Sequence, residues 1–473
     1  MAGDSILVLL PPLVTIVLAV ITRQVVFSLS IGIFLGFLIL ADFSLPLALV
    51  NSVEGVVGIF KQDWAVKVIL FTMMVSGIIH LAKVTGGTRG LVLLLTERRS
   101  VVRGPISTQL LGAAIACAVF IDSYLAMLTS GAVTADLARK YRVSREQLAY
   151  VTKNTGISVW SSVMINGWGA AMMGIIAGQV QLNFIQGQPF AILARSMVYN
   201  LFAWASIFVV FLTLFTKFSF LAMRRANERA AAGIELREGA VPMAPDEDDS
   251  EVLHKPDVSN LLLPLLTTIL FTPVALYITG DGVIANGSGS TSVLWAVLLG
   301  QFVAFIYYVP IRRILSLGQF FDHLLKGYQE MVPLVVVLTL AILIGSVAGQ
   351  LEIGAYIAHH IGDHVAASMI APFIFVIAGV ISLSTGTSWG TFSIMIPIGI
   401  QLAVAAGVDP YLAIGAAISG SVLGDAVSPI SDTGIMISTA TKNDLMDHIK
   451  TQFPYVMTAG AIALAGFVIL GIV

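Results

Sequence analysis

The run ISTQLLGAAIACAVFIDSYLAMLTSGAVTADLA, Ile106–Ala138, decides the fold. A helix crosses the hydrocarbon core in about 20 residues, so this run is too long for one span. Its two flanks carry the same charge. Lys83–Arg103 holds five Lys or Arg and Arg139–Gln147 holds four. Lys and Arg beside span ends mark the cytoplasmic side, so both ends of the run lie inside. The run is therefore predicted to be a hairpin that enters and leaves from the cytoplasm, with its turn near Phe120-Ile-Asp-Ser-Tyr124, deep in the membrane.

A shift of 265 residues lays Ala371–Ala403 on Ile106–Ala138 without a gap and sets Ser388 on Ser123. Identity in that register is low; the charges say more. The windows equivalent to the two basic flanks, Ala348–Ser368 and Val404–Leu412, contain no Lys or Arg. One connection further on the bias reverses, with none in Ala177–Pro189 but Lys442 and Lys450 in Lys442–Pro454. Equivalent loops on opposite sides of the membrane are the mark of an inverted-topology repeat, a common transporter plan. The second hairpin, Ala371–Ala403, is expected to open outward with its turn at Ser384-Thr-Gly-Thr-Ser-Trp-Gly390.

The whole composition agrees. Of 473 residues, 57% are hydrophobic and 11% charged, against about 25% charge in soluble domains. Mean hydropathy is +0.93. Apolar runs of spanning length recur, among them Ile6–Ile21, Val25–Ala41, Met197–Thr216 and Leu261–Thr279. The chain is expected to be an all-α polytopic membrane protein. A net charge of −2 without a basic face excludes a nucleic-acid partner, and Cys117 as the only cysteine excludes a disulfide scaffold. Continuous rather than alternating apolar runs exclude an outer-membrane barrel. Met1–Asp4 lacks the basic start of a signal peptide, so Ser5–Ile21 is expected to persist as a span running inward from outside.

Residues 1–216 and 258–473 are assigned to the two repeats. Residues 217–257 are assigned to a cytoplasmic linker that needs no structure of its own, since Pro242, Pro245 and Pro256 discourage it. Threading gives about ten spans and two hairpins, with interfacial helices at Asn51–Lys61 and Leu317–Gln329. Leu148–Gly178 is expected to cross as a long interrupted helix.

Polar residues inside these apolar runs are the candidate site. Thr385-Gly-Thr-Ser-Trp-Gly390 offers turns, the hydroxyls of Thr385, Thr387 and Ser388, and freed carbonyls for a cation or an anionic solute. A small-residue packing face is the alternative. In Gly424-Asp-Ala-Val-Ser-Pro-Ile-Ser-Asp-Thr-Gly434, Asp425 and Asp432 are seven residues apart, close to one face of an unbroken helix. Pro429 clashes with the carbonyl of Asp425, and a break there brings Ser428, Ser431 and Thr433 towards one cavity. A carboxylate at the bilayer centre costs about 2.5–3.5 kcal/mol, so two need a partner such as Na⁺ or a proton. Two acids capping a broken helix is the other reading.

Asp122 occupies the first hairpin turn, as an ion ligand or as a helix N-cap. Lys153-Asn-Thr-Gly156 begins an unusually polar span. Lys153 is an internal cation for an anionic substrate, a permanent substitute for Na⁺, or a side chain snorkelling to the inner surface. His359, His360 and His364 lack the company of a metal site and are expected to face solvent. No cofactor or resident metal is called for. An intramembrane aspartyl protease, which also needs two aspartates, and a passive channel are competing classes.

Gly386-Thr-Ser-Trp-Gly-Thr391, Val427-Ser-Pro-Ile-Ser-Asp-Thr433 and Asp447-His-Ile-Lys-Thr-Gln-Phe-Pro-Tyr455 resemble the NhaC family of Na⁺/H⁺ antiporters. Phe120–Tyr124 and Ser144-Arg-Glu-Gln-Leu-Ala-Tyr150 do so as well. The resemblance implies a secondary transporter of the bacterial inner membrane, a homodimer of inverted repeats with two hairpins and elevator-like motion. Members exchange Na⁺ for H⁺, and some carry organic acids or amino acids. Asp122, Thr155, Thr387, Ser388, Asp425, Ser428 and Asp432 match family positions. Ser123 stands where the family often has a second acid, and Lys153-Asn154 where it commonly has Asp-Ser. Exchanging an acid for Lys153 changes local charge by two units. The implied function is Na⁺/H⁺ antiport by alternating access, the cation and the proton competing for the carboxylates. The alternative is Na⁺- or H⁺-coupled transport of a small organic acid or amino acid.

Overall fold

The computed structural model describes residues 6–22, 24–87, 89–90, 102–120, 123–164, 166–216, 218–243, 255–283, 287–351, 356 and 367–472. Among these, all regular structure is helical. The first half runs α1 (Leu10–Thr22), α2 (Val25–Leu40), α3 (Leu45–Phe60), α4 (Asp63–Val84), α5 (Pro105–Ala118), α6 (Ser123–Lys140), α7 (Arg145–Trp160), α8 (Gly167–Gln181), α9 (Pro189–Ser196) and α10 (Leu201–Thr216). After α11 (Leu221–Ala231) come α12 (Ser259–Thr279), α13 (Gly289–Ile306), α14 (Leu317–Glu330), α15 (Val332–Gln350), α16 (Ile370–Thr385), α17 (Ser388–Ala405), α18 (Pro410–Val427), α19 (Asp432–Ala440) and α20 (Leu445–Ile472).

Among the described residues, seven helices are long and apolar enough to cross a bilayer. Two bent pairs, α9–α10 at 45° and α14–α15 at 43°, have the same character when joined. Large apolar side chains point outward from several of them: Leu270 on α12 is 68% exposed and Phe208 on α10 is 59% exposed. Such faces suit lipid, where helices satisfy their own backbone groups. In contrast, α7, α8, α17 and α18 are buried along nearly their whole lengths and form the interior.

Helices α5, α6, α7 and α8 begin at residues 105, 123, 145 and 167, and α16, α17, α18 and α19 at 370, 388, 410 and 432, each 265 later. Both long runs are helix pairs, and both following spans are broken. Packing crosses between the halves reciprocally. The second arm of the first hairpin, α6, packs on α19; the second arm of the second hairpin, α17, packs on α8. Trp168 on α8 meets Trp389 and Phe392 on α17 with ring centroids 5.5 and 5.7 Å apart.

Two local expectations change. The helix expected at Asn51–Lys61 begins at Leu45, because the apolar residues before Asn51 continue the same helix behind a proline in its first turn. The linker is also more ordered than its composition suggests. Leu221–Ala231 is amphipathic and buries Met223, Ala226 and Ala230, while Pro242, Pro245 and Pro256 all lie beyond its end. Arg229 pairs with Glu146, the Ser144 hydroxyl donates to Asn227, and Asn227 donates to Gln147 at 3.1 Å. Further on, Arg237 grips both oxygens of Asp447 at 3.1 and 3.0 Å. Val241 donates its backbone N–H to Asp444 at 2.9 Å. The linker is thus fastened to the first turns of α7 and α20.

Candidate functional site

Helix α18 stops where Pro429 stops it. Proline has no N–H to offer and disfavours a helical conformation at the residue before it, and Ser428 is extended with φ −71° and ψ 129°. Helix α19 then restarts on a serine cap, the Ser431 oxygen accepting from the Gly434 N–H at 3.1 Å. Asp425 therefore lies in the last turn of α18 and Asp432 in the first turn of α19, on two helices rather than one face.

Asp425 is 1% exposed. Its Oδ2 accepts from Ser388 at 2.7 Å; its Oδ1 accepts from Ser431 and, at 3.1 Å, from Thr433. Ser388 is the first residue of α17 and belongs to the second hairpin tip, so that tip is tied directly to the helix break. The tip is also held by its backbone. Gly386 has φ +71°, and a Cβ there would stand 2.6 Å from the Ile430 carbonyl oxygen, so only glycine fits.

Lys153 comes from the other half. It is fully buried and does not reach the inner surface; its Nζ donates to the Ala426 carbonyl at 3.0 Å. That carbonyl loses its helical partner at the break, since the Ile430 N–H turns to the Ser428 hydroxyl at 3.4 Å. Gln452 on α20 also donates to Ala426 O, at 2.7 Å, and accepts from Asn154 at 3.0 Å. A cation and an amide from two other helices thus cap one freed carbonyl. Lys153 interacts electrostatically with both Asp425 and Asp432. An added Cβ at Gly434 would stand 3.3 Å from Nζ, so the bare glycine leaves the ammonium its room.

Among the described residues, the equivalent break, between α7 and α8, is capped and bridged by neutral side chains. Asn166 caps α8, accepting from Gly169 N–H at 2.9 Å, and donates to the carbonyls of Trp160 at 2.9 Å and Phe120 at 3.2 Å. It lies 265 residues before Ser431 and does the same work, while also holding the first hairpin near its tip. Asn200 bridges Ser161 and Ser162 at 3.2 and 3.1 Å and accepts from Ser419 of α18 at 3.0 Å.

The remaining candidates divide. Asp432 is half-buried and accepts the Thr433 N–H at 2.7 Å, among other interactions. The Thr155 hydroxyl is buried without a partner among the described residues. Ser123, at the start of α6, is half-buried. Ser428 donates to Leu383 O of α16 at 2.8 Å, whereas two hydroxyls serve local backbone: Thr385 donates to Ile381 O at 3.0 Å, and Thr387 caps α17 by accepting the Trp389 N–H at 3.2 Å. Thr387 and Trp389 also line an open cavity of about 290 Å³ bounded by Glu330 and Val337. Asp122, His359, His360 and His364 lie outside the described residues.

Gln452 and His448 were not singled out from sequence. His448 is fully buried one turn before Gln452 on α20, and neither ring nitrogen has a partner among the described residues. Their signal was available: polar residues in a span of otherwise high hydropathy, within the motif Asp447–Tyr455.

A sequence model described as the Na⁺/H⁺ antiporter family matches residues 163–472. An uncharacterized protein of Haemophilus influenzae is 28% identical over 99% of this chain and 91% of its own. A malate-2H⁺/Na⁺-lactate antiporter of Bacillus subtilis is 36% identical over 21% of this chain and 23% of its own. In three dimensions the chain resembles MtrF of Neisseria gonorrhoeae, described as illuminating a class of antimetabolite efflux pumps. The TM-score is 0.61 at 16% identity, over 91% of this chain and 85% of that one, a likeness of fold alone. With the family model covering well over half of the sequence, this multi-pass membrane protein belongs to the Na⁺/H⁺ antiporter family and is a secondary transporter.

Proposed function

We propose that the chain exchanges Na⁺ for H⁺ at the break between α18 and α19, in a cell inner membrane and as a homodimer of two inverted repeats. The observation that carries this reading is the buried set of Asp425, Lys153, Ser388, Ser431 and Thr433. Its charge balance supports exchange. Two carboxylates, Asp425 and Asp432, face one lysine, leaving one negative charge in a low-dielectric interior. One Na⁺ or one proton neutralises it, and both together would leave an equally costly positive charge. Competition follows from that arithmetic.

The ligands are hard oxygens: carboxylates, hydroxyls and the carbonyls of unwound backbone, which suit an alkali cation. Asp122, Ser123, Asn154, Thr155, Thr387 and Ser428 supply or position further oxygens as the hairpins move, while the Thr385 hydroxyl bonds the backbone of its own hairpin. The hairpin tip tied to Asp425 through Ser388 is the gate, and losing that bond on protonation couples occupancy to opening. Carriage rather than covalent chemistry is the work of these groups.

A second reading rests on Lys153. An ammonium beside an aspartate fits the carboxylate of a small organic acid or amino acid, coupled to Na⁺ or H⁺, and the cavity beside Thr387 offers space for it. Proteoliposomes carrying an internal pH dye separate the two. Na⁺ or Li⁺ alone is expected to dissipate an imposed pH gradient. If only a carboxylate such as malate or lactate does so, exchange of bare ions is wrong. Accumulation against a gradient excludes a passive channel.

A further inference from the structure

At the opposite end of α7 from its break lies a cavity of about 320 Å³. It is framed by the end of α6, the start of α7, the end of α19 and the linker after α11. Arg139, Arg142, Arg145 and Lys442 line it, and Glu235 is the one carboxylate among its described lining residues. Glu235 pairs with Arg139 at 2.6 Å and with Arg145. Arg142 donates to the Ala231 carbonyl and Arg145 to that of Lys442. Neither Arg142 nor Lys442 meets a carboxylate among the described residues, so the lining carries three positive charges in excess.

Cytoplasmic span ends carry cations anyway, but they do not ordinarily converge on one hollow large enough for a small ligand. Here they do, beside the amino-terminal end of α7, whose dipole adds to the positive field. The guanidinium forks match phosphate oxygens two at a time. Glu235 occupies two of the forks as a built-in anion. Burial pushes its carboxyl up, but the bonds and charges of Arg145 and Arg139 outweigh this and hold it below the ordinary glutamate range.

We propose that this cavity binds a phosphate-bearing anion, either a soluble phosphate compound or the headgroup of an anionic lipid, in competition with Glu235. The site stands apart from the ion-exchange reading and survives if that reading fails. Because Glu235 belongs to the linker, occupancy removes one of the ties that fasten the linker to α6 and α7.

Thermal unfolding of the full chain tests this. In neutral detergent, inorganic pyrophosphate is titrated against chloride at matched ionic strength. In parallel, nanodiscs of phosphatidylcholine are compared with discs in which phosphatidylglycerol replaces part of the lipid. A saturable rise in midpoint with pyrophosphate assigns the site to a soluble anion; a rise with phosphatidylglycerol alone assigns it to a lipid. Glu235→Gln removes the competitor and is expected to lower the half-saturating concentration about threefold or more. Arg142→Gln combined with Lys442→Gln is expected to raise it about tenfold. No saturable rise with either probe, or the same half-saturation in wild type and both variants, overturns the proposal. Should the double variant fail to fold, the Glu235→Gln shift decides alone.

Discussion

The two helix breaks share a backbone plan, but their described side chains differ in charge. Between α7 and α8 the caps and bridges are Asn166, Ser161, Ser162 and Asn200, all neutral. Between α18 and α19 a buried aspartate gathers three hydroxyls. Lys153, midway along α7, turns to the other break, at the Ala426 carbonyl. The two breaks therefore offer cradles of similar backbone shape, and among the described residues the one between α18 and α19 holds a buried carboxylate.

The largest expected effect breaks the comparison outright. Asp425→Asn turns the charged break into a second neutral one. It is expected to reduce coupled transport by about two orders of magnitude or more, as loss of about 3 kcal/mol of ion stabilisation implies. PH-gradient dissipation in proteoliposomes measures it, with size-exclusion profiles confirming folded protein. Wild-type exchange would remove Asp425 from the mechanism.

Lys153→Ala leaves two carboxylates facing each other without their cation. Breaking a buried charge pair from one side costs about 3–5 kcal/mol, read as a large fall in melting midpoint in detergent. Adding Asp432→Asn is expected to restore a good part of that loss; if the double variant is less stable than the single, Lys153 is not the counter-charge.

A matched pair sharpens the contrast. Ser431→Ala and Asn166→Ala each delete a helix cap, worth about 1 kcal/mol. Ser431 also donates to Asp425, so only its variant is expected to change the Na⁺ concentration for half-maximal exchange, by about tenfold. Equal effects on that concentration would mean that the two breaks work alike. The smallest effect belongs to Thr385→Ala. Among the described residues its hydroxyl meets backbone alone, Ile381 O at 3.0 Å and Thr387 O at 3.5 Å, so exchange and stability are expected to stay within about 0.5 kcal/mol of wild type. A tenfold loss of exchange there would show that the hairpin hydroxyl meets the ion during transport.

Much of this was legible along the chain because the physics involved is local or periodic. Apolar run length marks the spans, and a proline behind a carboxylate marks a break. Helix starts at 105, 123, 145 and 167 recurring 265 residues later match the register found from Ile106–Ala138. The helix at Leu317 was also evident, being short and amphipathic. Less legible was α11, where flanking prolines and charge suggested loose chain although Met223, Ala226 and Ala230 had a surface to cover.

What the linear order could not contain is which polar group meets which. Lys153 and Ala426 are 273 residues apart, Asn154 and Gln452 298. Hydropathy treats every buried hydroxyl alike, so it cannot separate Ser388, which reaches Asp425, from Thr385, which does not. Sequence by itself determined that helices would span, break and repeat, since each follows from the cost of unsatisfied backbone in hydrocarbon. Only the tertiary packing decided that the lysine of one half would complete the broken helix of the other, because a buried charge takes its partner from whatever the fold brings within a few ångströms.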